Sequence, residues 1–165
     1  MNENDSILMR IAVLGGTGKE GSGLAMRWAL NGYRVVIGSR DEQKAAARAA
    51  ELNAELGGDY LTGMSNAEAA KVATVVVLSV PYDAHRATIE SVREHLKGKI
   101  LVDITVPLNP RNIRTVYIPE GKAAALEAEA YVDGSVRIVA AFQNVSAEKL
   151  KDPNMVVACD VLVCS

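Results

Sequence analysis

The stretch IAVLGGTGKEGSGLA, Ile11–Ala25, sets five glycines between an apolar run and a helical pattern. Glycine loses more backbone freedom on folding than any other residue, so such a cluster signals that bare backbone is needed. Gly16, Gly18 and Gly21 form the pattern G-x-G-x-x-G, after a predicted strand at 9–15 and at the mouth of a predicted helix at 18–31. In that context the first glycine permits a tight turn and the second a close approach of amides to a diphosphate. The third lets helix and strand pack closely. Free amides and the dipole at the helix start favour an anion there. The alternative is a plain glycine turn linking strand to helix.

Working outward, a second strand is expected at 33–39, YRVVIGS, then a helix at 40–56 with Ala45, Ala49, Leu52 and Leu56 on one stripe. A short strand at 60–64 and a small helix at 66–71 follow. TVVVLSV, 74–80, is continuous and β-branched, the pattern of a strand buried on both faces of a parallel sheet. A helix at 83–96, a strand at 99–106 and a loop rich in proline and asparagine through Pro107 and Pro110 come next. A helix at 122–130, a strand at 136–142, a short helix at 147–150 and a last strand, VLVCS, at 161–165 complete the pattern. Strands alternating with helices predict an α/β fold. It is a doubly wound parallel sheet in three αβα layers, the Rossmann NAD(P)-binding arrangement, formed by one domain over 1–165 with a short extension at 1–8.

Composition narrows the partners. The chain has 165 residues, 49% of them hydrophobic, and a net charge of −2, which offers no electrostatic footprint for nucleic acid. The polar opening MNENDS is unlike a signal peptide, and no apolar run is long enough to span a bilayer, so neither a membrane nor a secretory route is expected. The cytoplasm is the default compartment. Cys159 and Cys164 stand in an alternating apolar stretch without nearby histidines. No metal site is readable, and two buried free thiols are expected. His85 and His95, ten residues apart on a predicted surface helix, read as solvated side chains, with His85 the nearer to Pro81. The scattered acidic residues read mostly as solvated helix faces.

The end of the second strand bears on nucleotide choice. An NAD fingerprint places Asp or Glu there to hold the ribose 2′-hydroxyl. Here the strand ends in Ser39 and Arg40, and Lys44 shares a helix face with Arg40. These residues suit a 2′-phosphate and hence NADP(H). Ser39 with Glu42 also fits a capping box, which would account for those two residues but not for Arg40 and Lys44. The glycines can also be read as Gly15, Gly18 and Gly21, the spacing of short-chain dehydrogenases. Those enzymes need Tyr-x-x-x-Lys, and the residues four after the five tyrosines are Ile37, Met64, Arg86, Gly121 and Ser135.

Six segments in order, MRIAVLGGTGKEGSGLAMRWAL, VVIGSRDEQKA, LTGMSNAEAA, VVLSVP, VDITVPL and AAFQNVSA, resemble the NADPH-dependent reductases of the deazaflavin coenzyme F-420. The resemblance implies hydride transfer between NADP(H) and coenzyme F-420 in a homodimer, without a catalytic side chain. It implies that Thr17, Ser39, Arg40 and Lys44 surround the 2′-phosphate, and that backbone at Gly16, Gly18, Lys19 and Glu20 holds the diphosphate, with Gly21 closing the motif. Ser79, Val80 and Pro81 would lie against the nicotinamide and Ala147 near its carboxamide. Phe142, Gln143, Asn144 and Val145 would line the meeting place of the two rings, although ordinary core packing is the competing role for Phe142. Members of this family continue beyond the VLVCS stretch with further helices, so a truncated or reduced relative is expected. Two alternatives stay open: a nucleotide-binding module without turnover, and a reductase with another hydride acceptor such as an imine or ketoacid.

Overall fold

The computed structural model describes residues 9–109 and 112–165. The extension expected at 1–8 and Pro110 of the expected loop lie outside the described residues. Six parallel strands form one sheet: β1 (Arg10–Leu14), β2 (Arg34–Ser39), β3 (Leu61–Ser65), β4 (Val75–Leu78), β5 (Ile100–Asp103) and a later β8 (Arg137–Ala140). Their order is β3-β2-β1-β4-β5-β8, which is the doubly wound order with its reversal between β1 and β4. Register runs Leu14 against Gly38 on one side and Leu14 against Leu78 on the other.

Helices cover both faces. Alternation along β1 sends Ile11 and Val13 into one core with Leu24, Ala25, Met26 and Leu52, on the side of α1 (Lys19–Leu30) and α2 (Glu42–Leu56). Ala12 and Leu14 enter the other core with Ile89, Val92 and Leu96, on the side of α3 (Asn66–Val72) and α4 (Tyr82–Val92). A 3₁₀ turn, Arg93–His95, ends α4. The expected stripe of α2 is present, with Ala45, Ala49 and Leu52 buried. A left-handed cap at Gly57, φ 72°, stops that helix.

Several expectations need correction. Asp41, not Ser39, caps α2: its Oδ1 accepts from the Lys44 amide at 3.2 Å, while Ser39 Oγ accepts from the Asp41 amide at 3.2 Å. Ser39 is still the last residue of β2, too early to reach the helix amides. The proline-rich stretch contains a small antiparallel pair, β6 (Leu108–Asn109) with β7 (Asn112–Val116). The 161–165 stretch makes no strand; a single antiparallel bridge joins Cys164 to Ala140. Both cysteines are exposed rather than buried: no strand forms around them, and Cys164 meets only the edge strand β8 through that bridge. Helix α5 (Ala124–Tyr131) and the short α6 (Ala147–Leu150) are where the patterns put them. Arg27 of α1 fixes the α6 segment, its guanidinium donating to the carbonyls of Lys149, Leu150, Asp152 and Met155. No helix among the described residues is long and apolar enough to cross a membrane.

Candidate functional site

The reversal between β1 and β4 opens a crevice at the carboxyl ends of the strands, where doubly wound sheets bind ligands. Its walls are tied by backbone. Ser79 N donates to Leu14 O at 2.9 Å, and Gly16 N donates to Gly38 O at 3.0 Å. The glycines divide into two kinds. A methyl group on Gly15 would collide with Ser79 O, and on Gly16 it would stand 2.7 Å from Val13 O. On Gly21 it would stand 2.8 Å from Ser79 Oγ. Gly15 also sits at φ +71°, a region that side chains disfavour. Gly15 and Gly21 let the turn and α1 close onto the end of β4, and Gly16 lets the turn close onto β1 and β2. At Gly18 the same methyl would meet only Gly15 O, at 3.5 Å. Gly18 is the N-cap of α1 and supplies no side-chain cap, so bare backbone faces the crevice for a reason other than protein packing. A diphosphate fits that cradle: α1 presents its positive end there, and Lys19 follows.

Two hollows meet at Pro81. One, of about 470 Å³, is lined by Gly18, Lys19, Glu20, Ser79–Pro81, Ile104–Val106, Leu108, Gln143 and Val145. The other, of about 450 Å³, lies between Arg40 and the first turns of α4, with Pro81, Asp83, Ala84 and Ala87 in its wall. Together they form an elongated trough suited to a dinucleotide, with Arg40 at one end and the hollow beside Ser79–Pro81 at the other.

Among the residues singled out from sequence, Gly18, Lys19, Glu20, Ser79, Val80, Pro81, Gln143 and Val145 share the larger hollow. Gly16 and Gly21 are buried in its wall, and Thr17 is exposed at the turn. Ser39 is buried beneath Arg40, which is exposed. The Lys44 ammonium stands 3.9 Å from Asp41 Oδ2. Phe142 turns away from the hollow, edge-on against Trp28 with ring centres 5.8 Å apart. Its backbone is left-handed, φ 69°. Gln143 donates to Asp103 O at 2.8 Å, and Asn144 donates to Asp160 O at 2.7 Å. Ala147 starts α6 and is half-buried outside the lining of both hollows.

The reading of His85 as solvated is overturned. Its ring is buried and its Nε2 lies 2.8 Å from Asp103 Oδ2, while Asp103 Oδ1 accepts from the Thr105 amide at 2.9 Å. The pair ties α4, which begins beside Pro81, to the loop after β5 that floors the hollow. The signal was present: His85, Ile89, Val92 and Leu96 fall on one helical stripe, and all four are buried. The Thr105 hydroxyl, also buried, has no partner among the described residues. Glu20 likewise departs from a solvated face, since burial pushes its carboxyl up to about 7.

Comparison with known proteins agrees with this geometry. Residues 10–107 match the family described as NADP oxidoreductase coenzyme F420-dependent. The chain is 45% identical over 163 residues to a protein of Methanothermobacter marburgensis named F420-dependent NADP reductase, covering 95% of this chain and 73% of that one. It is 41% identical over 164 residues to a protein of the same name from Methanocaldococcus jannaschii, covering 94% and 72%. A pyrroline-5-carboxylate reductase from Coxiella burnetii shares the fold at TM-score 0.55 and 18% identity, over 81% of this chain and 43% of that one. The chain thus spans a little under three-quarters of the curated relatives' length and well under half of the solved reductase's. With its glycine turn, its trough and 98 consecutive residues within the match, the chain belongs to the coenzyme F-420-dependent NADP oxidoreductase family.

Proposed function

We propose that this chain binds NADP(H) along the trough and passes a hydride between its nicotinamide and the deazaflavin ring of coenzyme F-420. The observation that carries the reading is the bare Gly18 face at the start of α1, between Arg40 at one end of the trough and the larger hollow at the other. The names of the curated relatives support the choice of nucleotide and acceptor. The reading extends to a cytoplasmic homodimer, and exposed apolar side chains at Leu126, Val156, Leu162 and Val163 support such pairing.

In this reading Arg40 grips the 2′-phosphate, with Ser39, Thr17 and Lys44 around it. Lys44 has only an exposed neighbour to leave. The amides of Gly16, Gly18, Lys19 and Glu20 receive the diphosphate. Ser79, Val80 and Pro81 form a short uncharged wall for the nicotinamide, with Ala147 toward its carboxamide. Gln143 and Val145 face the second ring, and Phe142 and Asn144 hold that loop from behind through Trp28 and Asp160. The coenzymes carry the redox chemistry, and the protein supplies position and exclusion of water. Holding two rings at near-attack distance lowers a barrier by roughly 7–11 kcal/mol, so no nucleophilic side chain is needed.

The test is titration with NADP and NAD followed by an absorbance assay of deazaflavin reduction by NADPH. NADP-selective binding with turnover is expected. Selective binding without turnover would leave a nucleotide module, and no saturable binding would overturn the reading.

A further inference from the structure

Glu20 is the carboxyl group in the larger hollow, and the backbone role given to that residue leaves its side chain without a task. It stands in the first turn of α1, in the same lining as Ser79, Val80 and Pro81. No hydrogen bond or ion pair holds it among the described residues. The other elements bring no rival charge into this lining. The turn after β4 contributes Ser79–Pro81, the loop after β5 contributes Ile104–Val106 and Leu108, and the loop after β8 contributes Gln143 and Val145, all without ionisable groups. Lys19, the remaining ionisable residue of the lining, directs its ammonium to Glu148 of α6 at 3.4 Å. Lys151, just past α6, pairs with the same carboxylate at 2.7 Å. Asp103 and His85 are paired beneath Thr105, and Asp83 opens on the Arg40 side.

We infer that Glu20 balances charge in the hydride step: its carboxyl is protonated beside the reduced, neutral nicotinamide and ionised beside the oxidised, cationic one. The inference rests on the nucleotide reading above. Half-burial without a partner already disfavours the ionised form, and so places the group's titration near neutrality. As a general scale, a unit positive charge brought to roughly 6–8 Å of a carboxyl, at an effective dielectric of about 20–40, favours the carboxylate by about fivefold to a hundredfold.

The step balances. A hydride with its electron pair leaves nicotinamide C4 for deazaflavin C5, and the nicotinamide acquires a positive charge. The Glu20 O–H bond breaks and its proton passes to water. The reduced deazaflavin takes one proton from water at a ring nitrogen. One proton is released and one taken up, and the nicotinamide and Glu20 together stay neutral throughout. Run in reverse, the same group regains its proton as NADPH forms.

The experiment titrates the unmodified chain and Glu20→Gln with NADP⁺ and NADPH from pH 5.5 to 8.5, without deazaflavin. Titration of the 2′-phosphate is common to both nucleotides and cancels in the ratio of their affinities. In the unmodified chain that ratio shifts toward NADP⁺ by about fivefold or more as the pH rises. In Glu20→Gln it stays flat at the low-pH value. A flat ratio in the unmodified chain, or the same rise in the variant, overturns the inference while leaving the nucleotide reading intact. Absence of saturable binding of either nucleotide overturns that reading first.

Discussion

The division of the glycines into packing and ligand-facing kinds makes a sharp prediction from two single-methyl changes. In Gly16→Ala the new methyl would stand 2.7 Å from Val13 O and 3.2 Å from Ile37 Cγ2, against backbone and core that cannot yield cheaply. Overpacking of this kind costs about 1–3 kcal/mol. Gly18→Ala is different. Its backbone, φ −73° and ψ 165°, suits any residue, and the methyl meets nothing closer than 3.5 Å. Loss of a favourable N-cap residue should cost no more than about 1 kcal/mol. The methyl would, however, occupy the approach to the α1 amides. Losing even one hydrogen bond to a charged phosphate, about 1.5–3 kcal/mol, weakens NADP roughly tenfold to a hundredfold. Urea unfolding and calorimetric titration of both variants separate the effects: Gly16→Ala is the less stable, Gly18→Ala the weaker binder per folded molecule. A Gly18→Ala protein that binds NADP like its parent would refute the assignment of the diphosphate to this turn.

Two other outcomes follow from buried and half-buried polar groups. His85→Leu strands the Asp103 carboxyl in the core with only the Thr105 amide, so urea unfolding should show a loss of about 3–5 kcal/mol; a loss near zero would mean the pair does not tie α4 to the crevice floor. For Glu20, the folded chain holds its proton to about 7 against 4.5 for a free carboxyl. The folded state therefore binds the extra proton between those values, and stability falls as pH rises from 4.5 to 7. Because the group is only half-buried, solvent trims the effect. Melting curves across that range should slope downward, and Glu20→Gln should flatten them; an unchanged slope in the variant would assign it to other groups.

Much of this fold could be read because one local pattern has one physical use. The glycine turn between an apolar strand and a helix, and the β-branched run ending at Leu78, each fit few alternatives, and every expected parallel strand up to β8 is present. Errors arose where a pattern had two uses. The alternation in VLVCS suits a strand, yet only Cys164 finds a partner, on the outer edge of the sheet at Ala140. Pro107 and its neighbours suggest a loop, but a short antiparallel pair tolerates Pro107 just before its first strand. A surface helix suits a solvated His85, whereas the stripe it shares with Ile89 and Val92 turns it inward, and its partner Asp103 lies 18 residues away on β5, beyond any local pattern. The larger hollow was legible only in part. Ser79–Pro81 lie at the C-terminal end of a predicted strand, whereas the turn of the chain at Phe142, which sends its ring to Trp28 and leaves Gln143 and Val145 at the hollow, depends on tertiary packing.

Nucleotide choice in the proposed function rests on Arg40, placed beyond the second strand, selecting a phosphorylated adenosine for the trough. Parallel titrations of the parent and Arg40→Ala with NADP and NAD test it most directly. The parent should prefer NADP, and the variant should lose roughly tenfold to a hundredfold of its NADP affinity, with NAD binding nearly unchanged. Equal losses for the two nucleotides, or a parent that saturates with neither, would contradict it.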